Sequence, residues 1–257
     1  MKLFQVDAFT QTLFGGNPAA VVPLESWPED ALLQRIAGEN NLSETAFLVP
    51  NEQGFALRWF TPTVEVDLCG HATLAAAWVV FHELGYAGER IRFETASGPL
   101  YVSRSGAGLA MDFPARPGQP VTDMRPYENA LQLPVREVWQ ARDTLVIVDS
   151  EHQVRELVPD LAAIAALDTF ALMVSAPGEH CDFVSRFFAP RQGITEDPVT
   201  GSAHCTLTPY WAHRLAKTQL HARQLSARGG ELLCTLDGDR VRLEGQARCY
   251  LKGEILL

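Results

Sequence analysis

The sequence predicts an α+β protein of two pseudo-symmetric domains, each a curled antiparallel β-sheet or barrel around a central α-helix. Three observations predict it. RWFTP at 58–62 returns as RFFAP at 186–190, 128 residues further on in a chain of 257. Short strand signals bounded by turn residues recur in both halves. Each half also holds one helical segment opened by glycine, the first of them apolar on nearly every side.

The repeat extends both ways with a slowly drifting offset, as loop insertions in a duplicated domain would produce. Upstream, DALLQRIAGENNLSETAFLVP (30–50) faces DLAAIAALDTFALMVSAP (160–177), which sets Glu44 and Thr45 opposite Asp168 and Thr169. Downstream, ASGPLYVSRSGAGLAMDFPA (96–115) faces ARGGELLCTLDGDRVRLEGQA (227–247), at an offset of 131.

In chain order, Ser26 with Glu29 three residues later reads as a capping box for a helix whose apolar face is Leu32, Leu33 and Ile36. Strands at 47–49 and 55–60 flank the turn NEQG, and strands at 100–103 and 109–113 flank SRSGAG. HATLAAAWVVFHELG (71–85) has no polar face and is therefore a buried helix, ended by Gly85. Its counterpart, SAHCTLTPYWAHRLA (202–216), carries Pro209 inside and should kink or be irregular there. Strands at 232–236 and 240–243 flank an Asp-Gly turn.

Residues 115–126, with Pro114 just before them, concentrate four prolines and read as the linker. The expected domains are 1–116 and 127–257, with the linker at 117–126. Both central helices should present their N-termini to a shared cleft.

A hydrophobic fraction of 47% and a charged fraction of 20% describe an ordinary folded chain. A net charge of -10 argues against nucleic acid and anionic membrane as partners, and leaves a small molecule. No apolar run reaches the roughly 18 residues that span a bilayer, so the expected location is cytoplasmic. Five cysteines, none in a CxxC pair, read as reduced thiols rather than a disulfide frame or a zinc site. The histidines form no HxH or HExxH, so no metal is expected. GAGLAM (106–111) supplies two of the three glycines of a dinucleotide fingerprint and lies in a hairpin, so neither nucleotide nor flavin is expected.

Chemistry concentrates at three places. Glu44 leads into the apolar run 46–49, and burying a carboxylate costs several kcal/mol unless it is paired or protonated. DLCGHA (67–72) and EDPVTGSA (196–203) each set an acid ahead of a glycine that opens a helix, leaving backbone N–H groups free for an anion. Gly70 and Gly201 allow close approach, and His71 and Ser202 follow them directly. Asp67 and Asp197 are equally readable as N-terminal caps. Cys69 at a helix start would have a lowered pKa and could be a nucleophile or acid/base, or an inert buried thiol. His204, Cys205, Trp78 and Trp211 read as packing.

NLSETAF (41–47), DLCGHATLA (67–75) and EDPVTGSAH (196–204), with FGGNPAAVV (14–22), resemble the signatures of the PhzF-like family, the phenazine-biosynthesis isomerases and their homologues. The similarity is colinear over nearly the whole chain. It implies a diaminopimelate epimerase-like fold, a homodimer and a cofactor-free isomerisation. The family's named reaction converts a trans-2,3-dihydro-3-hydroxyanthranilate to a ketone by moving a proton between ring carbons. By resemblance, Glu44 is the general acid/base, His71 and Asp197 orient the substrate and its proton transfer, and Gly70, Gly201 and Ser202 hold its carboxylate. Two other readings stand beside this one. An amino-acid racemase or epimerase would use Cys69, although Thr200 occupies the position where a second thiol would stand. A non-catalytic small-molecule binding protein would have no need of Glu44.

Overall fold

The computed structural model describes residues 1–106 and 108–257. Ala107, in the expected SRSGAG turn, lies outside the described residues. Two compact units form, Met1–Asp112 with Glu244–Leu257, and Phe113–Leu243.

The first unit runs β1 (Lys2–Ala8), β2 (Asn17–Pro23), α1 (Asp30–Asn40), β3 (Glu44–Asn51), β4 (Gly54–Phe60), β5 (Glu65–Val66), α2 (Gly70–His82), β6 (Arg90–Thr95), β7 (Gly98–Ser105) and β8 (Gly108–Pro114). Pairing is antiparallel for β1 with β2, β3 with β4, β4 with β5, β6 with β7 and β7 with β8. Two pairs are parallel, β2 with β3 and β4 with β6. The sheet is therefore mixed rather than wholly antiparallel. The parallel pairs fall where a helix makes the connection: α1 crosses from β2 to β3, and α2 from β5 to β6.

Helix α2 buries ten of its thirteen residues, from His71 to Phe81. Alanines at 72, 75, 76 and 77 keep its girth small, which lets β1, β2 and β3 pack directly on it. Helix α1 packs a narrower face, with Leu33, Ile36 and Ala37 against Val22, Phe47 and Phe60. Its expected capping box is not formed. Glu29 is the N-cap without a side-chain bond, and its carbonyl accepts from Leu32 and Leu33 N–H. The carboxylate of Asp30, the first helical residue, pairs with Arg58 at 2.8 Å.

The second unit runs β9 (Gln119–Pro120), α3 (Arg125–Leu131), β10 (Glu137–Gln140), β11 (Thr144–Ile147), α4 (Glu151–Glu156), α5 (Leu161–Ala166), β12 (Leu172–Pro177), β13 (Phe183–Ala189), β14 (Ile194–Asp197), α6 (Gly201–Leu215), β15 (Gln219–Gln224), β16 (Gly230–Asp237) and β17 (Arg240–Gly245). Its pairing from β10 to β16 repeats that of the first unit from β1 to β7, step for step. The steps are antiparallel, parallel, antiparallel, antiparallel, parallel and antiparallel. The repeated arginine keeps its work as well. Arg58 on β4 holds Glu65 with two parallel N–H···O bonds, and Arg186 on β13 holds Glu196 in the same way.

The division differs from the expected one at both ends. The last strand, β18 (Ala247–Glu254), pairs with β1 and belongs to the first unit, just as β9 pairs with β10 in the second. The proline-rich stretch is folded rather than a free linker. Ala115 and Arg116 N–H bond to the carbonyls of Asp239 and Cys205, Pro120 sits in β9, and Pro126 opens α3. Proline is tolerated in all these places because an edge strand and a first helical turn leave its missing N–H unneeded. Pro209 does not interrupt α6, which is assigned as helix from Gly201 to Leu215. The carbonyl of Cys205, four residues earlier, lacks the usual helical donor and takes the Arg116 N–H at 2.8 Å instead.

Among the described residues no helix is long and apolar enough to cross a membrane.

Candidate active site

Glu44 is the first residue of β3, beside Ala19 of β2. His71 is the second residue of α2. Strand and helix bring the two side chains together, with His71 Nε2 3.0 Å from Glu44 Oε2. Their side chains are 7% and 13% exposed. The oxygen lies off the imidazole N–H axis, so the contact is close without being an aligned hydrogen bond. The structure thus sets Glu44 at the margin of the core with an imidazole partner.

The other face of His71 is occupied too. Asn17 Nδ2 lies 3.2 Å from Nδ1, and Cys69 Sγ lies 3.5 Å from the same nitrogen. With the amide N–H donating, Nδ1 is the bare acceptor and Nε2 carries the hydrogen towards Glu44. Turned end for end, the same amide offers its oxygen to an Nδ1–H, so Asn17 serves both the neutral ring and the imidazolium. Burial disfavours the charged ring. The Glu44 carboxylate 3.0 Å away favours it and raises His71 above its ordinary value.

Asn17 is fully buried at the start of β2 and is carried there by the turn after β1. Gly16 in that turn has φ of 66°, and a Cβ there would collide with the carbonyl oxygen of Ala8. The FGGN order follows from this: glycine is required where the backbone doubles back, directly before the residue that enters the site.

Cys69 is the N-cap of α2 and makes no side-chain cap bond. A helix start by itself would lower its pKa, but burial, with the Glu44 charge added, pushes the thiol up to about 11. It is a thiol near neutral pH, contrary to the expectation from its position. Glu44, Cys69 and His71 lie close enough to hold a metal ion, their ligand atoms within 4.8 Å of one another. Cys69 and Glu44, however, face opposite nitrogens of one ring, an arrangement suited to passing a proton through the ring rather than to gathering three ligands on one ion.

In the second unit, Asp197 ends β14 and is buried. Its Oδ2 accepts the hydroxyl of Thr200, the N-cap of α6. Gln224, also buried, bonds to the Asp197 carbonyl at 2.8 Å and receives the Thr200 N–H at 2.9 Å. Neither Asp67 nor Asp197 caps a helix. Cys69 and Thr200 hold those positions without side-chain caps, which leaves the N–H groups at Gly70, Gly201 and Ser202 uncapped from the side. Asp67 is exposed.

The strand registers correct one alignment. Ala46 faces Trp59 and Met173 faces Phe187, so with Arg58 matched to Arg186 the counterpart of Glu44 is Ala171. Asp168, set opposite Glu44 by the sequence repeat, is fully exposed. The counterparts of Cys69 and His71 are Thr200 and Ser202. Glu44, Cys69 and His71 are therefore present in one copy only, in a fold that is otherwise duplicated. Asn17 and Cys69 were not singled out by sequence as partners of His71. Asn17 is 54 residues away, and its only signal was its place in the FGGNPAAVV stretch.

Comparison with known proteins gives both the class and the family. The sequence pattern described as Phenazine biosynthesis-like protein matches residues 6–253. A Pseudomonas aeruginosa protein named as an uncharacterized isomerase is 51% identical, with 100% of this chain and 99% of that protein covered. A human phenazine biosynthesis-like domain-containing protein is 38% identical, with 99% of each covered. The crystal structure of a PhzF family protein from Enterococcus faecalis overlays with a TM-score of 0.98 at 46% identity, covering 100% of this chain and 99% of that one. A probable proline racemase from Agrobacterium overlays with a TM-score of 0.64 at 10% identity, a likeness of fold alone.

The protein is an isomerase by class. More particularly, it belongs to the phenazine biosynthesis-like, or PhzF, family.

Proposed function

We propose that the protein is a cofactor-independent isomerase that moves one proton on a small carboxylate-bearing substrate of dihydro-hydroxyanthranilate type, with Glu44 as general acid/base. The observation that carries this reading is the single Glu44–His71 pair at 3.0 Å, whose positions in the second unit are filled by Ala171 and Ser202. One carboxylate in one copy suits chemistry in which the same group takes a proton and returns it.

In the forward step a C–H bond of the substrate breaks and an O–H bond forms on Glu44. The electron pair spreads into the conjugated system attached to the substrate carboxylate. The proton then passes from Glu44 to a second carbon, and the carboxylate is restored. His71 Nε2 lies against Oε2, which leaves Oε1 for the substrate. Uncapped N–H groups at Gly70, Gly201 and Ser202 suit the substrate carboxylate. Asp197, held by Thr200 and Gln224, would orient a polar group of the substrate. A cytoplasmic homodimer belongs to the same reading.

Proton NMR in heavy water with trans-2,3-dihydro-3-hydroxyanthranilate tests it. The reading requires consumption of the compound, with deuterium entering one ring carbon. No change in the compound removes this substrate, and the next trial is deuterium wash-in across a panel of small unsaturated and hydroxy acids.

The racemase alternative draws on the Cys69–His71 contact. It is the weaker, because the Cys69 thiol is pushed up to about 11 and the matching position is Thr200, whose hydroxyl cannot replace a thiolate unaided.

A further inference from the structure

The second unit carries a half-open cavity of about 470 Å³ that the chemistry above does not use. None of Glu44, His71, Asp197, Gly201 or Ser202 lines it. It reaches α6 through Thr206, Pro209 and Tyr210, beyond the helix start. Its far wall is Trp139 of β10, with Leu145 of β11.

The wall exists because of one proline. Pro209 leaves the Cys205 carbonyl for Arg116 N–H to take at 2.8 Å, and this bond draws the chain at Pro117 and Gly118 along the helix. A Cβ on Gly118 would lie 3.1 Å from Trp139 Cβ, so glycine is what lets the strap come this close to the indole.

Glu137 then sets the chemistry. Its Oε2 accepts from Trp139 Nε1 at 2.9 Å and from the Tyr210 hydroxyl at 3.2 Å, while Oε1 accepts from Arg214 Nη1 at 2.9 Å. The two rings meet edge to face, with centroids 5.7 Å apart at 65°. Both polar tips are spent on the carboxylate, so the rings offer the cavity carbon surface in a fixed posture. Glu137 itself, met by three donors, is no receptor for a cation. The capacity that remains is donor capacity: Arg214 is largely exposed and uses only Nη1 on Glu137, and His213 lines the cavity beside it.

We propose that this cavity binds a small aromatic carboxylate, with its ring against Trp139 and Tyr210 and its carboxylate on Arg214. Flat carbon walls with a few placed donors are the make-up of a ligand pocket, and the volume lies within the roughly 300–1,000 Å³ such pockets have. The inference is independent of the proton-transfer reading.

Isothermal titration calorimetry of the full chain with indole-3-carboxylate, and with indole-3-carboxamide as its uncharged isostere, tests it. Arg214→Ala should weaken the carboxylate about tenfold or more and leave the carboxamide unchanged, as loss of a charge-assisted contact predicts. Trp139→Leu should weaken both. If Trp139→Leu does not fold, the indole N–H resonance of Trp139 in the wild type should shift on titration. No binding at millimolar probe, or affinity indifferent to both cavity substitutions, would overturn the proposal.

Discussion

Glu44 and His71 face each other across 3.0 Å from the first residue of a strand and the second residue of a helix. Neither position is free to drift. The strand residue is placed by parallel pairing with β2, and the helix is locked by its buried alanine-rich body. A carboxyl–imidazole pair built on rigid elements is what a proton carrier needs, because its reach must be set before the substrate arrives.

Asn17 is the amide partner of His71 Nδ1, at 3.2 Å. Asn17→Asp replaces an amide that can donate or accept with a carboxylate that only accepts, so the imidazolium should be favoured further. Nitrogen-15 NMR of His71 should show the ring held doubly protonated to higher pH in the variant, with a fall in kcat. An unchanged His71 titration would show that the Asn17 contact does not govern the ring.

In the proposed reaction Cys69 stands beside the Glu44–His71 pair and is not the acid/base. Cys69→Ser should keep activity within about tenfold of wild type, since a general acid/base contributes about 10²–10⁴-fold when removed. Iodoacetamide at pH 7.5 should leave this thiol untouched, because it is buried and titrates at about 11. Complete loss of activity in Cys69→Ser would move the chemistry to the sulfur.

His204 sets an acid limit on stability. Its Nδ1 donates to the Thr200 carbonyl at 2.8 Å, its Nε2 has no hydrogen-bond partner among the described residues, and burial pulls it down to about 4. The unfolded chain takes up this proton near the ordinary value of 6.5, the folded chain only near 4. Stability from this group is therefore full above about pH 6.5 and drains away as pH falls towards 4. Urea unfolding at pH 7 and pH 5 should show the loss, and His204→Phe should flatten it. An equal slope in the variant would remove His204 as the cause.

The small girth of α2 is structural. Ala76 is fully buried, and Ala76→Leu should destabilise by about 1–3 kcal/mol, the usual cost of overpacking a filled core. Thermal unfolding measures it, and a Tm equal to wild type would mean that the sheet has room to spare.

Much of this was legible in the sequence, for identifiable reasons. RWFTP and RFFAP announce the duplication because each arginine clamps a glutamate on the following strand, a pairing that both halves need. The glycine-led helices were legible from composition. Glu44 and His71 were legible one at a time, but their contact was not, since strand and helix meet only through the fold. The swap of β18 into the first unit leaves no local pattern, because an edge strand carries no mark of which neighbour it joins. Asp168 was set opposite Glu44 because the two upstream segments differ in loop length, and only hydrogen-bond register fixes Ala171 as the counterpart. The proline-rich stretch looked like a linker because proline marks edges and helix starts as readily as it marks linkers.

The most direct test of the central claim compares wild type and Glu44→Gln for deuterium incorporation in heavy water, on whichever small acid the wild type turns over. The account predicts that Glu44→Gln binds the substrate with affinity near wild type, keeps its Tm, and incorporates deuterium at least about 10²-fold more slowly. Incorporation at the wild-type rate in Glu44→Gln would contradict it, and would place the proton carrier on another residue.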